Sequence, residues 1–84
     1  MIKNLETHIL KLSSKDQVGI VAKIASILAS YNCNIVESKQ FTDQENNNFF
    51  IRQSFTLPLD VEIKSLDSAL VILSKELNGN FTLS

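Results

Sequence analysis

Ser13-Ser14-Lys15-Asp16-Gln17-Val18-Gly19-Ile20-Val21 is the stretch on which the fold turns, because the apolar period changes from two residues to 3.6 across it. Upstream, His8, Leu10 and Leu12 alternate with Ile9, Lys11 and Ser13, the pattern of a short strand. Downstream, Ile20, Val21, Ile24, Leu28 and Tyr31 recur at three- and four-residue spacing, widened by Ala25 and Ile27, while Lys23, Ser26 and Ser30 fall opposite. The stretch therefore predicts a strand feeding directly into a one-sided helix that begins near Gln17. Ser14 or Asp16 is the expected cap, since a side-chain oxygen there can accept from amides of the first turn. Asn32-Cys33-Asn34 is expected to end the helix, asparagine being able to take the left-handed conformation.

The remaining chain continues the alternation. Ile35–Phe41 and Phe49–Leu57 read as a second and third strand, joined by the polar hairpin Thr42-Asp43-Gln44-Glu45-Asn46-Asn47-Asn48. In the third strand Phe49, Ile51, Phe55 and Leu57 share a face interrupted by Gln53, and Phe50, Arg52, Ser54 and Thr56 share the other, as in a sheet covered on one side. Pro58 is expected to stop that strand because proline cannot donate to a ladder. Ile63, Leu66, Leu70, Leu73 and Leu77 form a second helical stripe, Gly79 is expected to close it, and Phe81-Thr82-Leu83 begins a fourth strand. The order βαββαβ predicts an α+β, ferredoxin-like sandwich: a four-stranded antiparallel sheet with two helices on one face.

Composition bounds what such a domain can do. Its 84 residues allow a single domain with one modest core, which predicts self-association as a homodimer or higher oligomer. Hydrophobic residues make up 44% and charged residues 20%, an ordinary globular balance. The formal net charge is −1, and the eight Lys and Arg are scattered from Lys3 to Lys75, which argues against nucleic-acid binding through a cationic cluster. No apolar run approaches the ~20 residues of a membrane span and no secretion signal is recognisable, so a cytoplasmic location is expected. Without such a signal, the sequon Asn80-Phe81-Thr82 reads as a chance match.

Chemistry is sparse. One histidine and one cysteine cannot supply a nucleophile, a base and an orienting group; His8 reads as a strand residue and Cys33 as a half-buried helix-end residue. Asp43, Glu45 and the asparagines offer oxygens without the spacing of a calcium loop, so no metal or other cofactor is expected. Phe49 and Phe50 on a third strand invite comparison with RNA-stacking sheets, but the Gly-bearing basic-aromatic signature is missing. Core packing for Phe49, an interface contact for Phe50 and a cross-strand ion pair between Arg52 and Glu37 are the expected roles.

Three segments carry a resemblance: Asp16-Gln17-Val18-Gly19-Ile20-Val21-Ala22, Asn34-Ile35-Val36-Glu37 and Phe49-Phe50-Ile51-Arg52. Together they resemble an ACT domain, and in particular the amino-terminal ACT domain of formyltetrahydrofolate deformylases. The hairpin of that family commonly contains a glycine where this chain has asparagines, which also tolerate positive φ. The resemblance implies a regulatory, dimerising domain tied to one-carbon folate and purine metabolism. It also implies that hydrolysis of 10-formyltetrahydrofolate belongs to a formyltransferase-like catalytic domain outside these 84 residues, whose Asn, His and Asp have no counterpart here. This chain is accordingly not expected to be an enzyme. The chain is expected to be an excised domain, a truncated reading frame or a free-standing amino-acid-binding regulator that acts on a partner protein.

The candidate ligand site follows from the turn and from the resemblance. A strand running into a helix offers the helix's first amides and its dipole to a carboxylate or phosphate. Gly19 permits close approach there, or else serves tight helix-to-strand packing. In ACT domains the matching glycine lies at an amino-acid site shared by two subunits. This nominates Asp16, Gln17, Val18, Gly19 and Ile20, with Asn34 and Ile35 from the second strand; Asp16 caps the helix or, like Asn34, holds the ligand's ammonium. The resemblance makes glycine and methionine the first candidate ligands.

Overall fold

A computed structural model describes residues 5–84. Its elements are β1 (Leu5–Lys15), α1 (Ile20–Ser30), β2 (Asn34–Asp43), β3 (Asn48–Pro58), α2 (Ile63–Glu76) and β4 (Asn80–Leu83). They form one antiparallel sheet in the order β2-β3-β1-β4, the expected ferredoxin-like arrangement.

Burial follows the alternation. Leu10, Leu12, Phe49, Ile51, Phe55 and Leu57 of the two central strands meet Ile20, Ile24 and Leu28 of α1 and Leu66, Leu70, Leu73 and Leu77 of α2 in one core. Gln53 interrupts that face and is only 2% exposed; its Nε2 donates to Ser38 Oγ at 3.1 Å, which satisfies one end of the amide. Arg52 Nη1 reaches Glu37 Oε1 at 3.4 Å, the expected cross-strand pair. Burial holds the Cys33 thiol above its ordinary pKa, in keeping with an inert structural residue.

Both helices close through left-handed asparagines. Asn32 (φ 60°) follows α1, with Cys33 N donating to Leu28 O at 2.9 Å and Asn32 N to Ala29 O at 3.0 Å. Asn78 (φ 57°) does the same for α2, with Gly79 N to Ser74 O at 2.8 Å and Asn78 N to Lys75 O at 3.1 Å. The expectation that Gly79 closes α2 is therefore corrected: its neighbour takes the left-handed conformation. Gly79 is needed for space, because a Cβ there would run into Ser13 O and lie 2.7 Å from Ser14 Cβ.

The helix start also differs from expectation. β1 runs on to Lys15, paired with Asn48, and α1 begins only at Ile20. Gly19 is the N-cap at φ 92°, its carbonyl accepting from Lys23 N at 3.0 Å, and no side chain caps the helix. Ser14 Oγ donates instead to Lys15 O, and Asp16 engages the hairpin through its amide, which donates to Asn47 O at 2.9 Å.

β2 carries a bulge at Val36: Ile35 pairs with Phe55, but Glu37 pairs with Ser54. One extra residue flips every later side chain. Ile35 faces the helices, whereas Glu37, Lys39 and Phe41 are turned to the open face, and Phe41 stacks beside Phe50 with ring centroids 6.3 Å apart.

Candidate site at the β1–α1 turn

The turn from Asp16 to Gly19 is held from two sides. Asp16 N ties it to the β2–β3 hairpin, and Gln17 Nε2 donates to Lys15 O at 3.0 Å and to Leu77 O, at the end of α2, at 3.1 Å. The hairpin is braced in turn by Asn46 Nδ2 donating to Asp43 Oδ2 at 2.8 Å, a bond that lowers the Asp43 pKa. Gln17, expected as a helical residue, is thus a strut that ties the turn to β1 and to the end of α2.

Gly19 is required by its backbone. At φ 92° a side chain is strained, yet a Cβ built there meets nothing within 4 Å, so helix-to-strand packing does not account for the glycine. The ground above it is open. The amides of Ile20, Val21 and Ala22 precede the first helical bond and have no backbone partner among the described residues, and Val18 beside them is 98% exposed. The arrangement can accept an anionic group at a helix N-terminus next to an exposed apolar side chain.

The seven nominated residues fall into two groups. Asp16, Gln17, Val18, Gly19 and Ile20 lie together at one end of the sheet, although Ile20 sends its side chain into the core and offers only its amide. Asn34 and Ile35 lie at the other end, level with Thr56 and Phe55 of β3, separated from the turn by the 11 residues of α1, a rise of about 16 Å. Within one chain they do not share a pocket. Ile35 packs against the core, while Asn34 is exposed at the start of an edge strand. A polar cleft of about 200 Å³, lined by residues including Ser14, Lys15, Asn48 and Gly79, sits near the turn but includes none of the seven.

Among the described residues no cluster of His, Cys, Asp and Glu could hold a metal, and no helix is long and apolar enough to cross a membrane.

Comparison with known proteins gives this geometry its context. The family model for the ACT domain matches residues 8–73. The chain is 34% identical over 77 residues to a formyltetrahydrofolate deformylase of Bacillus subtilis, covering 89% of this chain and 26% of that protein. It is 32% identical over 73 residues to a UPF0237 protein of Pyrobaculum aerophilum, covering 87% of this chain and 72% of the relative. Among solved structures, a formyltetrahydrofolate deformylase from Pseudomonas putida superposes with a TM-score of 0.88 at 26% identity, over 94% of this chain and 28% of that one. The chain thus spans roughly a quarter of the length of the deformylases it matches.

Proposed function

The chain belongs to the ACT domain family, and from that premise we propose that it is a regulatory, dimerising module that binds a small amino acid at the β1–α1 turn, in the manner of a deformylase ACT domain. The observation that carries this reading is the left-handed Gly19 at the start of α1, where the first-turn amides have no backbone partner among the described residues and the glycine has no packing role of its own. The ligand's carboxylate would sit on those amides, where the helix dipole favours negative charge. Glycine and methionine are the first candidates, Val18 offering an apolar contact for the larger one.

The distant position of Asn34 argues for a site built from two copies. β2 is a sheet edge, and Val36 on it and Val21 on α1 are exposed at 63% and 39%. A two-fold contact along the α1–β2 side sets residue i of one copy against residue j of the other and j against i. It would bring the turn of one protomer to Asn34 of its partner and cover an open strand edge. The ligand's ammonium would then meet the Asn34 carbonyl oxygen across the interface, with the Asp16 carboxylate, in no ion pair among the described residues, as the second acceptor.

A mixing experiment tests the shared site. Sedimentation equilibrium should find a dimer at micromolar concentration for the parent chain and for Asp16→Ala and Asn34→Ala alike. Each variant alone should lose ligand-dependent stabilisation. Their mixture should regain about a quarter of the sites, because half of a statistical mixture is heterodimer with one intact site of two. A strictly monomeric chain, or no recovery on mixing, would overturn the shared site.

A second reading, a free-standing regulator acting on a partner protein, is favoured by the UPF0237 relative, of which this chain covers 72%. In the first reading the regulated activity is hydrolysis of 10-formyltetrahydrofolate by an attached catalytic domain; in the second it is that of a separate protein.

A further inference from the structure

The face of the sheet opposite the helices is built for contact. The Val36 bulge turns Phe41 outward beside Phe50, leaving the two rings 65% and 43% exposed. One pleat repeat away, about 7 Å along the strands, Lys39, Arg52 and Lys11 stand abreast on β2, β3 and β1. Lys11, Lys39, Phe41, Phe50 and Arg52 line a single shallow depression of about 340 Å³. Without the bulge, Phe41 and Lys39 would share the side of Ile35 and the patch would not exist.

Charge selects the occupant. Like charges directly opposite on neighbouring strands are unfavourable, and among the described residues only Arg52 of the three has a carboxylate, Glu37, within reach. By register the open face carries Lys11, Lys15, Lys39 and Arg52 against Glu37 and Asp43, a positive surface on a chain whose net charge is −1. Two copies packed face to face would set these cations against one another. A continuous phosphate backbone would meet Glu37 and Asp43 at either end of the patch. Discrete carboxylates flanking an apolar side chain meet neither obstacle.

We propose that the open face of the sheet docks an acidic segment of a partner protein, its apolar anchor lying on the Phe41–Phe50 pair and its carboxylates on Lys11 and Lys39. This surface lies on the opposite side of the sheet from the helices and does not depend on the amino-acid site.

The blocked peptide Glu-Glu-Leu-Phe-Glu-Glu, titrated at low salt into the isotope-labelled chain and followed by amide shifts, tests this. Saturable shifts are expected in segments 9–13, 37–41 and 50–54. Binding should weaken about tenfold in Phe41→Ala, in Lys11→Gln with Lys39→Gln, and for the peptide with glutamines in place of its glutamates. Unchanged melting of the variants keeps the comparison valid. The proposal fails if the peptide gives no saturable shift at 10 mM, if shifts fall on the helices, or if the neutral peptide binds equally well. It also fails if a ten-residue oligothymidylate shifts the same amides at lower concentration, or if they shift on dilution without peptide, which would assign the face to nucleic acid or to a second copy.

Discussion

Phe55→Ala is expected to remove a large share of the domain's stability. Phe55 is fully buried on the central strand β3, in the core formed with both helices, and stacks with the His8 ring at a centroid distance of 5.9 Å. Truncating a buried phenylalanine removes its transfer free energy and leaves a cavity that close-packed neighbours fill only partly, at a cost of about 3–5 kcal/mol. An 84-residue domain has roughly 4–13 kcal/mol in total at ordinary stability per residue. Urea unfolding followed by circular dichroism should therefore give a midpoint lowered by about 1–5 M. Phe50→Ala, on the open face, should move the midpoint only slightly, because its ring is already 43% exposed.

The next largest loss is expected at Gly79→Ala. The new methyl would collide with the Ser13 carbonyl oxygen and approach Ser14 Cβ to 2.7 Å. Those atoms belong to β1, which is paired on both sides, so the backbone cannot withdraw without breaking ladder bonds to β3 or β4. Overpacking against such a wall costs about 1–3 kcal/mol, which for a domain of this size lowers Tm by roughly 5–20 °C. Asn78→Gly should be tolerated by comparison, since glycine adopts the left-handed conformation found there at φ 57°. The pair of variants separates Gly79's need for space from the neighbour's need for positive φ.

That division marks where the sequence is legible. The stripe Ile63, Leu66, Leu70, Leu73 and Leu77 and the alternation through β3 are direct images of burial, so the helices, strands and their order can be read from apolar spacing. Helix ends depend on one residue's φ. Asn78-Gly79 offers two residues able to go left-handed, and only the approach of β1 assigns the roles. Ser14 and Asp16 have capping side chains, yet the extra β1–β3 pairing at Lys15 and the left-handed Gly19 delay the helix by three residues from its expected start at Gln17.

The candidate site is legible in part. The resemblance places its residues along the chain, and the turn residues do converge. That Asn34 lies a helix length away is a property of topology, and the core orientation of Ile20 and Ile35 follows from packing. The Phe41–Phe50 pair was hidden because it depends on the bulge. Counting by twos from Ile35 puts Phe41 on the helix side, and one unpaired residue at Val36 reverses it.

If the turn holds an amino acid as proposed, thermal melting against ligand concentration will show it. Glycine or methionine, titrated from micromolar to 10 mM, should raise Tm progressively. The gain should reach about 2.7 kcal/mol at a hundredfold excess over Kd, equivalent to roughly 10 °C or more in a domain of this size. The rise should disappear in Asn34→Ala, whose unliganded Tm stays near that of the parent because the side chain is exposed. An unmoved Tm at 10 mM with these two and with each of the other common amino acids would contradict the claim.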